Sequence, residues 1–408
     1  MNFKTFASLK LRNYRLYFIG QAISLCGTWM QRIAQSWLVL QLTGSGTALG
    51  IVAALQYLPM FLFGPYSGVL VDRFPRRKIL YFTQAISGLL ALILGILVLT
   101  GLIKVWMIYI LALFLGLVNT IDIPAGQNFS LEMVGKDKLQ NAVSLDATLK
   151  SLARAIGPAI AGALLLTLGV GLCFIVNAIS YIAVLVALFM MKEKEMHLSA
   201  LASAKKGQIM EGLRYIKSNP LIRDTLILIA IVGAFSCEFS VVLPLLAKFT
   251  FSGDVKIYTL LAVVFGIGSM LGGFFSASKK RTAPHILVDA CLLFGLSLFL
   301  VALSPNLITA VIFLTVAGAV SIFLISLANV TLQLESIPEM RGRVISLYAV
   351  GYFGSPAIGA PIIGWICEIY GARWGLAVGG FAAIIAALIA IPTLKKDRYF
   401  RIPKLLKV

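Results

Sequence analysis

Apolar runs of about one membrane thickness recur along the whole chain, and they decide most of what it can fold into. A helix needs about 20 apolar residues to cross a bilayer. Within hydrocarbon its backbone polar groups must be satisfied inside the element itself. Twelve such helices are expected, at roughly 14–40, 47–71, 78–100, 104–126, 139–167, 170–191, 222–249, 256–277, 284–304, 307–332, 343–367 and 372–394. Short connections such as TGSGT (Thr43 to Thr47), LGVG (Leu168 to Gly171) and SPN (Ser304 to Asn306) read as turns between them. Composition agrees, with 60% of the 408 residues hydrophobic and 12% charged, about half the charged share of a soluble domain. The expected class is an all-α polytopic membrane protein. Its parts would be an N-terminal six-helix bundle over 1–191, a linker over 192–221, and a C-terminal six-helix bundle with a basic tail over 222–408.

Charge sets a topology. With both termini on one side, 28 of the 35 Lys and Arg fall in segments on that side. The opposite loops carry Lys104, Lys248, Lys256 and Arg373, and the spans carry Arg32, Lys150 and Arg154. The positive-inside rule places the rich side in the cytoplasm. The net charge of +19 is then a topology signal with an attraction to anionic lipid, not a nucleic-acid footprint. The long interior connection begins KEKE and holds Ile209, Leu213 and Ile216 at helical spacing among Lys205, Lys206, Arg214 and Lys217. It reads as an amphipathic segment on the membrane surface. Cys26, Cys173, Cys237, Cys291 and Cys367 are scattered through apolar runs and read as packing residues. His197 and His285 lie in polar loops, so no metal site is expected. The basic start runs directly into a full-length span, unlike a cleavable signal peptide.

Between the second and third runs stands GVLVDRFPRRK, Gly68 to Lys78. A glycine allows close helix approach, Asp72 follows one turn later, and Arg73, Arg76, Arg77 and Lys78 crowd a tight turn. This pattern resembles the loop between helices two and three of the major facilitator superfamily. The halves also repeat at offsets near 200 residues. Asn128-Phe-Ser-Leu-Glu-Met matches Asn329-Val-Thr-Leu-Gln-Leu, Gly157-Pro158-Ala159-Ile160 matches Ser355-Pro356-Ala357-Ile358, and Arg76-Arg77-Lys78 matches Lys279-Lys280-Arg281. Gly68 matches Gly272, while Asp72 is matched by Ser276. The resemblance implies the major facilitator fold, two six-helix bundles related by pseudo-symmetry.

NYRLYFIGQAISLCGTWMQRIAQSWLVLQLTGS, IDIPAGQNFSLEMVGKDKLQNAVSL and ARAIGPAIAG resemble the transmembrane secretion effectors, the branch with macrolide-efflux and siderophore-export proteins. GPAIAG, with Gly157, Pro158 and Gly162, is similar to the fifth-helix motif associated with antiporters. The resemblance implies export of a drug or metabolite, driven by proton entry without a cofactor, in a prokaryotic cytoplasmic membrane. The expected unit is a monomer whose partners are a small-molecule substrate and the bilayer. The sequence departs from the branch at Gly126, where arginine is common, and at Lys150 and Glu238, which are charged where neutral residues are expected.

Ionisable groups within spans are costly and line water or a partner. Gln21, Ser24, Thr28, Gln31 and Gln35 recur at steps of three and four, with Arg32 beside them. They form one polar stripe. It lines a wet cavity between the bundles or bonds helix to helix within one of them. Arg32 either attracts an anionic substrate or holds a fixed partner, and pairing with Asp122 is open. Asp122 stands two residues before Pro124, where the backbone ladder weakens, as a coupling acid or a helix-end one. Asp146, Lys150 and Arg154 share a face. Asp146 and Lys150 can neutralise each other, which leaves Arg154 as the better gate candidate. Glu238, in GAFSCEFSVVLP, has no charged neighbour within a turn. Burial disfavours the ionised form of such an acid, so it is the first proton-carrier candidate, set against a glutamate that only packs. Glu368 is expected near the outer surface and Asp289 near the inner.

Asn128-Phe-Ser130 and Asn329-Val-Thr331 match a glycosylation pattern but fall near inner helix ends. Gly266-x-Gly268 and Gly268-x-x-x-Gly272 are packing glycines. No Walker sequence is present, and no Ser-His-Asp set, so neither ATP hydrolysis nor an enzyme is expected. The expected mechanism is alternating access. Asp72 and its basic neighbours would form an inner latch in which Asp72 accepts bonds from a helix N-terminus across the bundle interface. Importer, uniporter and non-transporting membrane partner are the competing classes.

Overall fold

The computed structural model describes residues 6–197, 208–278 and 284–394. The Lys279-Lys280-Arg281 triplet, Lys205, Lys206 and the basic tail lie outside them. The helices are α1 (Arg12–Thr43), α2 (Gly46–Arg73), α3 (Arg76–Leu99), α4 and α5 (105–134 and 136–167, one 63-residue stretch bent at Gly135), and α6 (Val170–Met190). A short helix α7 (Gln208–Ser218) precedes α8 (Pro220–Thr250), α9 (Val255–Ser278), α10 (Pro284–Ala302), α11 (Leu307–Glu335), α12 (Pro338–Tyr370) and α13 (Ala372–Leu394). Ten stretches among the described residues are long and apolar enough to span a bilayer. One is the α4–α5 stretch, and α1 is excluded by its polar stripe, so twelve helices have spanning length.

Local chemistry sets several ends. Gly44 closes α1 in the left-handed region at φ 64°, and the Ser45 hydroxyl accepts from the Ala48 amide (3.1 Å) to open α2. Asn219 and Asn306 cap α8 and α11 in the same way.

Helices α1–α6 pack as one bundle and α8–α13 as the other, with α7 beside the start of α12. The face bearing Arg73, Arg76, Arg77 and Lys78 is called the basic face below, and its opposite the far face. The bundles meet along two seams, α2 with α12 and α5 with α9. Near the far face Gly46 and Gly50 of α2 press on the backbones of Gly364 and Ala360 of α12. Beside them Trp37 of α1 stacks on Tyr258 of α9 with centroids 5.9 Å apart, and Lys248 Nζ donates to the Leu40 carbonyl (3.4 Å). The α2–α12 seam continues to Gly64, where an added Cβ would stand 2.9 Å from the Val350 side chain. Beyond it, Gly68 and Gly342, at the basic ends of the same two helices, have nothing within 4 Å of where a Cβ would stand. The α2–α12 seam is thus tight at its far end and leaves Gly68 and Gly342 facing open space at its basic end, while the α5–α9 seam holds as far as Gly273 against Ser151.

Three expectations change in detail. The connection expected over 127–138 is helical apart from Gly135, because Phe129 and Met133 extend the buried face of α4 to its end. Gly135 makes the corner at φ 71°, ψ 176°, a backbone only glycine adopts at low cost. The eleventh span begins at Pro338, proline being favoured in the first helical turn. The seventh is interrupted: π turns occupy Val232–Ser236 and Leu246–Thr250, and Glu238 stands at a non-helical φ −82°, ψ 44°.

Candidate functional site

Midway through the membrane, α1 and α5 press together where Gly157 meets the Trp29 backbone and side chain. That close approach brings two cations to one indole. The Arg32 guanidinium lies 4.9 Å from the Trp29 ring centroid and the Arg154 guanidinium 5.0 Å from it, which bounds their separation at about 10 Å. Arg32 also reaches the Tyr57 hydroxyl on α2 (3.5 Å). The electrostatic neighbours of Arg154 are Tyr352 of α12, Arg32, Cys237 and Tyr57, and no carboxylate is among them. Arg154 Nε is buried without a hydrogen-bond partner. At this separation two like charges repel by about 2 kcal/mol at an effective dielectric near 20. Cation–π contact with Trp29 offsets part of that. Lys150, exposed and one turn toward the basic face from Arg154, adds a third positive charge.

The polar stripe of α1 divides. Gln31 and Gln35 are buried, and both make interhelical bonds within the N-terminal bundle. Asn177 Nδ2 of α6 donates to Gln31 Oε1 (2.6 Å), and Gln56 Nε2 of α2 reaches Gln35 Oε1 (3.5 Å). Ser24 is buried too, and the Thr28 hydroxyl donates to its carbonyl (2.9 Å). Cavity lining is therefore corrected for Ser24, Gln31 and Gln35. Gln21, Thr28 and Arg32 remain half-buried.

The span acids take neutral partners. Thr83 (2.5 Å) and Gln84 (3.0 Å) of α3 donate to Asp122 Oδ1, and among the described residues no ion pair joins Asp122 to Arg32. Tyr14 (2.9 Å) and Ser130 (3.2 Å) donate to Asp146, while Lys150 acts on both Asp146 and Asp122 through space without a close ion pair. Hydroxyl donors within the bundle reach the Asp146 carboxylate more closely than the exposed amine does. Glu238 is buried at the α8 break, and its Oε1 has no hydrogen-bond partner.

The basic-face motif is joined within its own bundle. Arg76 pairs with Asp72 (3.4 Å) and, more closely, with Glu132 at the end of α4 (3.0 Å). Arg77 donates to the Leu188 (2.6 Å), Phe189 and Met191 carbonyls, closing the C-terminus of α6. Arg73 and Lys78 flank the turn, and Gly68 faces open space. The expected arrangement, a carboxylate accepting from a helix N-terminus across the bundles, stands instead on the far face. There Glu368 of α12 accepts from the Ser45 hydroxyl (2.6 Å) and the Thr47 amide (2.8 Å) at the start of α2. Of the fifth-helix motif, Gly157 and Pro158 are buried, and Gly162 faces Thr259 of α9 across the interface.

Glu132, Trp29 and Asn177 were not singled out from sequence. The internal repeat did carry a signal for Glu132. Asp72 and Glu132 are acids in the first half, and both become neutral, as Ser276 and Gln333, in the second. Among the described residues no group of three His, Cys, Asp or Glu could hold a metal ion.

Residues 3–398 match the family described as transmembrane secretion effector. The staphyloferrin A transporter of Staphylococcus aureus is 23% identical, over 92% of this chain and 94% of its own length. Macrolide efflux protein A of Streptococcus pyogenes is 23% identical, over 83% and 86%. Among solved structures, a bacterial homologue of the human lysosomal transporter Spinster, inward-facing and unoccupied, superposes with a TM-score of 0.74. It is 14% identical, with 98% of this chain and 100% of that one covered. The fold is the major facilitator arrangement.

Proposed function

The chain belongs to the transmembrane secretion effector family of membrane transporters, and from that premise we propose that it exports a small amphiphilic molecule in exchange for protons. It is an integral membrane protein that moves small molecules, not an enzyme. In the proposed cycle the basic face is cytoplasmic, as the positive-inside rule requires, both termini lie there, and the membrane is a prokaryotic cytoplasmic membrane. The energy source is the proton gradient rather than a bound cofactor.

The observation that carries this reading is the α2–α12 pair, in contact at Gly46 and Gly50 and open at Gly68 and Gly342. Two rigid lobes joined at one end of this seam and parted at the other are half of an alternating-access cycle. The other half closes the basic face and releases the Glu368 cap on α2. A ligand or proton drives that step only by favouring one state over the other. Glu238 is the acid best suited to respond. Its Oε1 is buried without a partner, and it stands where the α8 ladder is already broken.

Everted vesicles carrying a pH gradient test the proposal, with a macrolide and staphyloferrin A as probes. Addition of a transported probe should partly collapse the gradient, and Glu238→Gln should abolish the collapse while sparing binding. No collapse with any exported probe would refute proton coupling. An unchanged response in Glu238→Gln would remove that residue from the cycle.

A further inference from the structure

Among the described residues no carboxylate forms an ion pair with Arg32 or Arg154. Asp122 is held by Thr83 and Gln84, and Asp146 by Tyr14 and Ser130. Among the described residues Glu238 forms no ion pair with Arg154, although Cys237 beside it feels both charges. Structural arginines in a membrane pair with a carboxylate or with backbone carbonyls. Aromatic groups flank both cations: Trp29 in contact with each, Tyr57 against Arg32, and Tyr352 beside Arg154. These side chains come from α1, α2, α5 and α12, so both bundles contribute.

We infer that this is the cargo site, and that the cargo is an anion with a flat apolar body whose acid group lies between Arg32 and Arg154. The inference rests on the export reading above and specifies its substrate class. A guanidinium bonds a carboxylate or phosphate at about 2.8 Å. A separation of at most about 10 Å lets one acid group reach both cations. Trp29, Tyr57 and Tyr352 then offer faces and edges for the apolar part. Lys150, exposed one turn toward the basic face, has its charge already answered by Asp122 and Asp146, so the site rests on Arg32 and Arg154. Two cations held near each other without a counter-ion disfavour a cationic cargo as strongly as they favour an anionic one.

Isothermal titration on the full-length protein in phosphatidylcholine nanodiscs tests the assignment with three isosteric probes: 2-naphthoate, 2-naphthamide and 2-naphthylmethylammonium. Naphthoate should bind about tenfold or more tightly than the amide, and the ammonium should bind least. Arg32→Gln and Arg154→Gln should each remove that preference, while Arg32→Lys and Arg154→Lys keep part of it. The first comparison needs no variant. Equal or tighter binding of the amide or ammonium to the parent protein, or no naphthoate binding at millimolar concentration, overturns the inference. Loss of naphthoate binding when phosphatidylglycerol replaces part of the lipid would assign the arginines to a lipid headgroup and overturn it too. The export reading fails separately. Gradient collapse with the ammonium but not naphthoate would leave export standing without an anionic cargo. A naphthoate preference without any gradient collapse would leave the site standing without proton coupling.

Discussion

Arg76 is enclosed to within 7% of its side-chain surface, and Glu132 to within 4%. Two charges so far from water depend on one another, and truncating Glu132 leaves the buried guanidinium with the half-exposed Asp72 at 3.4 Å as a remaining carboxylate. Loss of a single partner from an isolated buried pair costs about 3–5 kcal/mol, which Asp72 reduces here toward the lower end, whereas exchange of both for apolar residues is near neutral. Glu132→Ala should therefore lower stability by about that amount, and the double change Arg76→Met with Glu132→Leu should recover most of it. Denaturant unfolding of the parent, single and double variants in detergent measures both. A single variant as stable as the parent would show the pair to be solvated. At this scale the sequence is only partly legible. The basic turn announced itself by charge density, but Glu132 looks like any acid at a helix end until Arg76 is seen to need a second carboxylate. The glutamines of α1 were ambiguous for a related reason. An amide that lines water and an amide that bonds Asn177 have the same spacing, and only the neighbouring helix separates them.

Helices were the most legible elements, because apolar length is a property of the segment alone. Corners and breaks were less so. The α4–α5 corner takes one residue, since Phe129 and Met133 continue a buried face where the polar letters of QNFSLEMVGKDK suggested a loop. Gly135 carries that corner at φ 71°, and His197 lies 3.1 Å from where its Cβ would be. A side chain at φ 71°, ψ 176° stands in a region essentially reserved for glycine, at a cost of about 1–3 kcal/mol, and the imidazole must also move. Gly135→Ala should lower stability by about 1–3 kcal/mol, read in the same unfolding experiment, and His197→Ala in that background should return part of the loss. No change in Gly135→Ala would mean the corner relaxes freely. The break in α8 was invisible for a different reason. The polar letters of GAFSCEFSVVLP, Ser236, Glu238 and Ser240, stand in an apolar run of ordinary helical composition, and its first π turn packs against α12 and α13, where Ser236 donates to the Gly379 carbonyl (2.6 Å).

The whole molecule is legible in its repeat, and the repeat explains how one chain makes a two-state device. The α2–α12 pair carries small residues at both ends but uses them at one. Gly46 and Gly364 are in backbone contact, while Gly68 and Gly342 face open space. Rocking one bundle about the middle of this pair exchanges the two situations without repacking either core. Bulk at the far end therefore reports on the basic end. A Cβ on Gly46 would run into the Gly364 carbonyl oxygen, and one on Gly364 into the Gly46 carbonyl oxygen, so Gly46→Leu should prise the far end apart and favour closure of the basic end. The readout is maleimide labelling of Gly68→Cys in a variant with the five native cysteines, all free, replaced. Labelling should be rapid while Gly68 faces open space, and clearly slower once Gly46→Leu is added. Unchanged labelling would mean the ends move independently, and the bundles would not be rocking as rigid bodies.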